Sequence, residues 1–399
     1  MAVLLEHDAK RVLAAAGVPV PKGVVCGSPE EVVAAVQLLG PCVIKAVIPT
    51  GRKGKGGGVL TAASATEASD AATSLLGHSI HGFSVECVLV EEMVSIASEH
   101  FVSVVLDGSA KTWRLIFDMR GGVDVESWLA PASISLTLPP DGRVRAFHIR
   151  NFLRKAGASG PALRALASTV ATLCRTAIIS DATLLEVNPL VHTESGKLCA
   201  LGVMLAIDDR ALARHPDLAE LAIGGVEQVG RPLTAVESAM KALNESFPTV
   251  GEIRFSEFPD GDIGVMVMGG GAGLVVLDAL DACGGKPANF FDMTGGQVEE
   301  KIYCATRELL RISRLRALFI GGNIGAFAPV PIRLRGIVRA LKESPRDLRR
   351  FPVVIRLAGP GDDEALSIVA EVPEVVYVRD NFTLEGAVEL LMDRLKMTQ

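Results

Sequence analysis

Residues 43 to 60, VIKAVIPTGRKGKGGGVL, place four cations (Lys45, Arg52, Lys53, Lys55) and five glycines between two short apolar strands. Glycine lets backbone N–H groups approach phosphate oxygens, and lysines add point charges. The loop is not a Walker A loop, because no Gly-Lys-Ser/Thr follows a spaced Gly at the required interval. Taken alone it suits a nucleotide phosphate, a nucleic acid or a solvated hairpin turn. Lys45 lies between apolar residues in a strand, where an ammonium needs a partner. A ligand or a structural ion pair meets that need. Downstream, LVEEM (89–93) and Glu99 supply acids. In LLEVNPLV (184–191), Glu186 and Asn188 are two apart on one strand and so point to one face. Two hard oxygen donors on one face are what Mg2+ takes beside a nucleotide phosphate. Pro189 is expected to end the regular ladder there.

These residues must be held by folded elements, and the chain divides into two rhythms. The first half mixes strands and helices. HDAKRVLAAAG reads as a helix, and SPEEVVAAVQLLG as another with Ser28 as N-cap and Pro29 at its first position. TEASDAATSLLG and PALRALASTVATLCRTAI are further helices, set among strands such as CVIKAV, CVLVEEMV and LCALGVML. This is α+β organisation with antiparallel neighbours. Between about residues 235 and 255 the pattern weakens, which places a domain boundary there. Beyond it, IGVMVM, ANFFD, LRALFIGG, FPVVIRLAG and EVVYVRD alternate with helices. Five βα units predict a flavodoxin-like, doubly wound parallel sheet, with ligands bound outside the carboxyl ends of its strands.

Composition narrows the classes. The chain has 399 residues, 49% of them hydrophobic, enough for two or three domains with sizeable cores. A net charge of −6 and 5% aromatic residues argue against a general nucleic-acid binder. Seven scattered cysteines without a CxxC pair read as buried thiols in a reducing compartment. The start, MAVLLEHDAK, lacks a signal-peptide pattern, and the most apolar run, 264–277, is too short and glycine-rich for a membrane span. A cytoplasmic protein is expected. The GGGAG run is a poor dinucleotide fingerprint, and the seven dispersed histidines show no metal spacing. RLRGIVRALKE reads as a sheet-packing helix with a solvated cationic face.

Lys45, the Gly/Lys loop, LVEEM with SEHF, GGVDVE, LLEVNPLV and GGKPANFFD occur in one order along nearly the whole chain. This set resembles the ATP-grasp, β-type subunit of acyl-CoA synthetases, the superfamily of succinyl-CoA synthetase, ATP-citrate lyase and citryl-CoA synthetase. MVMGGGAGLVVLDALDACGG and LFIGGNIGAFAPVPIRLRGIVRAL are more similar to the ATP-citrate lyase branch. The resemblance implies an ATP-grasp domain over 1–240 and, over 255–399, a flavodoxin-like domain that binds the acid and the partner subunit. It implies ATP and Mg2+, and a hetero-oligomer with a CoA-binding α-type subunit that carries a phosphorylated His. By the same resemblance, Lys45, Arg52, Lys53 and Gly54 hold the phosphates, and Glu91, Val94 and Glu99 take the adenosine part. Asn188 is a Mg2+ ligand, and Glu186 steadies the partner's phosphohistidine. Gly325, Ala326 and Phe327 precede a helix whose N-terminus faces the acid and the phosphate, a use that exposed N–H groups and the helix dipole favour. Arg356 joins them as a substrate residue.

The sequence departs from the family pattern at points that matter. Gly202 stands where a second Mg2+ ligand, an Asp, is expected, and Met204 or Ala206 where the family has a lysine. Asp208 and Asp209 follow as possible substitute ligands. Ala326 and Ala328 replace an Asn and a Thr offered to citrate in that branch. Loss of a carboxylate weakens a Mg2+ site, and loss of hydrogen-bond partners weakens binding of a polyanion. Three readings follow: a citrate enzyme, an enzyme of another acid such as succinate or malate, or a weakened regulatory or scaffolding subunit.

Overall fold

Strand Cys42–Ala46 shows how the site is built: Cys42, Ile44 and Ala46 are buried, and Val43 and Lys45 face the other way. In the computed structural model, which describes residues 2–51, 53–122, 134–139, 141–223, 231–269, 271–296, 298–325 and 329–398, this strand is central to a four-stranded antiparallel sheet. The order is Gly23–Cys26, Val88–Glu92, Cys42–Ala46, Val59–Ala62. Helices Pro29–Leu39 and Ala65–Leu75 cover one face, burying Val32, Val36, Ala68 and Leu75 against Ile44, Ala46 and Val90. Both helices start on a serine cap. Ser28 Oγ and Ser64 Oγ accept the amides of Glu31 and Glu67, each at 3.3 Å. Those glutamates reach back to the amides of Gly27 and Ala63 at 2.7 Å. Each such cap is worth about 1 kcal/mol.

The second sheet of the first unit is antiparallel and larger. Its order is Ile134–Thr137, Thr112–Asp118, Ile96–Asp107, Ala182–Thr193, Val203–Ile207, Ala2–Leu4, Ala222–Ile223, with Leu198–Ala200 also paired to Ala182–Thr193. Helices Ala146–Lys155 and Ala162–Ile179 pack Ile149, Leu153, Leu166, Val170 and Leu173 onto Val102, Leu115, Phe117, Leu185 and Val187. The Ala162–Ile179 helix is long and apolar enough to cross a membrane, and half of it is buried in this core.

One expectation holds in its narrow form and one is corrected. The regular ladder breaks at Pro189, by a register shift between Val187 and Leu190, but the strand itself runs on to Thr193. The irregularity absorbs the N–H that proline lacks, and the Asn188–Pro189 peptide is cis. LCALGVML is not one strand but two, interrupted at Leu201 and Gly202. There Asn188 N donates to Gly202 O at 2.9 Å and Leu201 N to Pro189 O at 3.0 Å.

The units divide at Pro232/Leu233, as Met1–Pro232 and Leu233–Gln399. The segment read as a boundary therefore belongs to the second unit. It contains helix Ala235–Ser246, started by a Thr234/Glu237 capping box, and strand Ile253–Glu257. Met240, Ile253 and Phe255 pack with Phe291 and Met293, an apolar set too short to stand out among proline, glycine and charge. Five parallel strands follow the flavodoxin-like order: Asn289–Met293, Ile263–Met268, Ala317–Gly322, Val353–Arg356, Val376–Val378. Ile253–Glu257 adds an antiparallel edge. Helices Ala272–Ala282 and Leu384–Met397 cover one face. Glu299–Leu310, Val330–Glu343 and Asp362–Val369 cover the other. The adjacent strands Ile263–Met268 and Ala317–Gly322 thus send their helices to opposite faces, which opens a crevice at their carboxyl ends.

Candidate active site

A cleft of about 940 Å³ in the first unit is lined from both sheets. Val43, Lys45, Thr61 and Glu91 come from the four-stranded sheet, and Phe101, Leu184, Glu186, Asn188 and Met204 from the larger one. Strand alternation does this: Leu185 and Val187 go to the helical core, so Glu186 and Asn188 face the cleft.

At the cleft wall lies a buried ionic cluster. Lys45 Nζ is 3.1 Å from Glu6 Oε1 and 2.8 Å from Glu91 Oε2, and donates to Leu201 O at 2.6 Å. Lys10 Nζ donates to Glu91 at 2.6 and 2.7 Å and lies 2.9 Å from Glu6. Lys53, from the glycine loop, reaches Glu6 Oε2 at 3.0 Å. Burial raises the Glu6 carboxyl, but Lys45, Lys10 and Lys53 outweigh it and hold it well below the usual carboxylate range. Burial opposes the charge of Lys45, and Glu6 and Glu91 reverse that and push its ammonium up. Burial depresses Lys10 despite Glu6. Three ammonium groups against two carboxylates leave this desolvated cluster with one surplus positive charge.

The glycine loop is a hairpin between Cys42–Ala46 and Val59–Ala62, with Lys45 opposite Val59. It is pinned by Gly58 N donating to Lys53 O at 2.8 Å, and Gly57 sits at φ 73°. Lys53 turns toward Glu6, and Gly54, Lys55 and His81 also line the cleft.

The other sequence candidates fall as follows. Val94 lines the cleft, whereas Glu99 is not among its lining residues. Both oxygens of Glu91 are engaged by Lys10 and Lys45. Asn188 Oδ1 accepts from Gly122 N at 2.8 Å, and its Nδ2 donates to Gly122 O at 3.1 Å. Gly202 approaches so closely that a Cβ there would lie 2.2 Å from Asn188 O, which excludes an aspartate without a backbone shift. Met204, opposite Glu186, lines the cleft where a lysine was expected; Ala206 does not. Asp208 caps the turn Asp209–Arg214, and neither aspartate lines the cleft, so no substitute ligand comes from them. In the second unit, Gly325 N donates to Ala358 O at 2.9 Å. Arg356 is buried, its Nε and Nη1 donating to Phe382 O and Gly322 O at 3.0 and 2.8 Å. Arg52, Ala326, Phe327, Ala328 and the VDVE of GGVDVE lie outside the described residues. Sequence reading missed Glu6 and Lys10. Their signal was an i,i+4 Glu–Lys pair at a helix start, a pattern most often exposed.

Fold and cleft define an ATP-grasp protein. Residues 3–192 match the model of the ATP-grasp domain, and residues 231–381 that of the ATP citrate lyase citrate-binding family. The chain is 38% identical over 381 residues to the GDP-forming succinate–CoA ligase β subunit of Thermus thermophilus, covering 94% of this chain and 95% of that one. It is 35% identical to the ADP-forming β subunit of Chloroflexus aurantiacus, covering 92% and 93%. The chain belongs to the ATP-grasp β-type subunits of the acid–CoA ligases, the family of these succinate–CoA ligase β subunits. The fold is also that of ATP citrate lyase from Methanothrix soehngenii, solved with citrate and coenzyme A, at TM-score 0.71 and 21% identity over 98% of this chain and 99% of that one.

Proposed function

We propose that this chain is the nucleotide-binding subunit of an ATP-dependent carboxylic acid–CoA ligase and works with a separate CoA-binding α-type subunit. The observation that carries the reading is the Lys10, Lys45, Lys53, Glu6 and Glu91 cluster on the wall of the cleft that also holds Glu186 and Asn188. A polyphosphate supplies the negative charge that the surplus ammonium lacks. Lys45 and Lys53 exchange Glu6 for phosphate oxygens, while Glu91 keeps Lys10 and Lys45 in place. Lys53 brings the glycine loop with it, and closure of that loop excludes water.

Asn188 Oδ1 keeps a second lone pair beside its bond from Gly122, and with Glu186 it offers one amide and one carboxylate oxygen. These two residues would hold a Mg2+, a hard cation that takes oxygen donors of this kind. When bound, the ion neutralises charge on the transferring phosphoryl group. The γ-phosphoryl passes from ATP to a histidine nitrogen of the partner, releasing ADP. It then moves to a carboxylate oxygen of the acid, and the CoA thiolate attacks the acyl carbon and expels phosphate. Glu186 accepts the imidazole N–H during the first transfer.

For the acid, the match of residues 231–381 supports citrate, in a citryl-CoA synthetase or ATP-citrate lyase. The identity to the Thermus thermophilus β subunit over nearly its whole length supports succinate. The test is ADP release by the chain with its α-type partner, across citrate, succinate and malate. Turnover with succinate alone overturns the citrate form. Absence of Mg-dependent ATP binding to the isolated chain overturns the catalytic reading in favour of a scaffolding subunit.

A further inference from the structure

Among the described residues, the second unit holds a buried arginine without an ion-pair partner. Arg333 lies in the first turn of helix Val330–Glu343 and is only 5% exposed. Its Nε and Nη1 are buried without a hydrogen-bond partner among the described residues. Burial depresses the guanidinium, and no carboxylate acts to restore it. Its neighbours in the helix behave differently: Arg335 pairs with Glu299 and Glu364, and Arg339 with Glu300 and Glu343. A buried charge without a counter-ion is costly, because nothing offsets its desolvation.

The direction of the side chain follows from its helix. Side chains of a helix tilt back toward its N-terminus. Gly336, one turn further on, packs against Glu299 O and Tyr303 N at the start of helix Glu299–Leu310. That tilt sends Arg333 toward the start of its helix, which follows the carboxyl end of strand Ala317–Gly322. No side chain caps the N-terminus of its helix. Arg356, the other buried arginine at this end, already spends Nε and Nη1 on backbone carbonyls.

We infer that Arg333 is the anchor for a substrate carboxylate, the one that does not react. This rests on the acid–CoA ligase reading above and sharpens it. A carboxylate that becomes an acyl phosphate cannot stay clamped by a guanidinium through the reaction, so a permanent clamp serves a second carboxylate. A monocarboxylate, which lacks that second group, binds poorly. Arginine suits this because its planar, always charged fork matches a carboxylate.

The experiment is calorimetric titration of the full-length chain and of R333M and R333K with succinate, citrate, acetate and inorganic phosphate, with melting temperatures in parallel. Expected is binding of succinate or citrate to the wild type and not of acetate. R333M loses about tenfold or more of that affinity, and R333K lies between. Ligand-free R333M melts no lower than the wild type, since an unpaired buried charge is gone, and the acid raises only the wild-type melting temperature. Equal acid affinity in R333M and wild type overturns the anchor and leaves the ligase reading standing. Phosphate binding lost in R333M while acid binding is unchanged also overturns it. If no acid binds the wild type while Mg·ATP does, the anchor falls and the nucleotide reading stands. If neither binds, both fall.

Discussion

Lys45 illustrates how one residue satisfies two demands. Its ammonium is held by Glu6, Glu91 and the Leu201 carbonyl, so the apparent choice between ion pair and ligand is not a choice. The ion pair is the resting arrangement, and phosphate oxygens displace part of it. Lys45→Met removes the surplus charge and a charge-assisted donor together, and Mg·ATP affinity by calorimetry should fall about 100-fold. A second residue sets the response to pH. His100 is buried, and burial with the neighbouring His192 lowers it to about 4, against the Met119 carbonyl that raises it. Its Nε2 lies 3.0 Å from His192 Nδ1. The unfolded chain binds this proton near the ordinary histidine value and the folded chain only near 4. Stability is therefore complete above the ordinary range and is lost as pH falls from there toward 4. Denaturant titrations should show a loss of about 2 kcal/mol between pH 8 and pH 5 from this site. Glu6 acts lower: its depressed value means that its contribution persists through this window and goes only in stronger acid.

Gly202 shows that an element can fix what a residue is allowed to be. It interrupts what would be one strand, and its backbone lies against the Asn188 carbonyl. Gly202→Asp restores a family carboxylate on paper, yet its Cβ meets that carbonyl at 2.2 Å. The expected result is lower stability, by about 1–3 kcal/mol from the forced backbone shift, and no gain in Mg·ATP affinity. A variant that binds Mg·ATP more tightly at unchanged melting temperature would contradict this. The helix caps are simpler elements. Ser28→Ala should cost about 1 kcal/mol in urea unfolding, because it leaves the Glu31 amide without its side-chain acceptor.

Across the whole molecule, the cysteines test the compactness of both units. All seven are free thiols; Cys26, Cys42, Cys174 and Cys199 are buried, and Cys87, Cys283 and Cys304 are partly exposed. Burial pushes Cys174 up to about 12 and Cys26 and Cys199 to about 11. The thiolate is the reactive form. A disulfide reagent at pH 8 should therefore modify the three partly exposed thiols first and the four buried ones only on unfolding. Reductant should leave the melting temperature unchanged. Modification of Cys174 at the rate of Cys304 would mean that the Ala162–Ile179 helix does not pack as described.

Local chemistry made much of this protein legible in its sequence. Apolar periodicity marked the five parallel strands and their helices, and Ser28 with Pro29 marked a helix start, because these signals depend only on neighbours along the chain. Strand alternation was enough to put Glu186 and Asn188 on one face. The sequence did not reveal helix Ala235–Ser246 and strand Ile253–Glu257, whose stability comes from packing on Phe291 and Met293. Nor could it reveal that Glu6 and Lys10 complete the site. Lys10 lies 81 positions from Glu91 and Glu6 39 from Lys45, and only tertiary packing brings them within ion-pair distance. The continued strand through Pro189, the space closed at Gly202 and the unpaired Arg333 belong to the same class. Residue types are written in the chain, but burial, which sets the energy of every charge here, is decided by the fold.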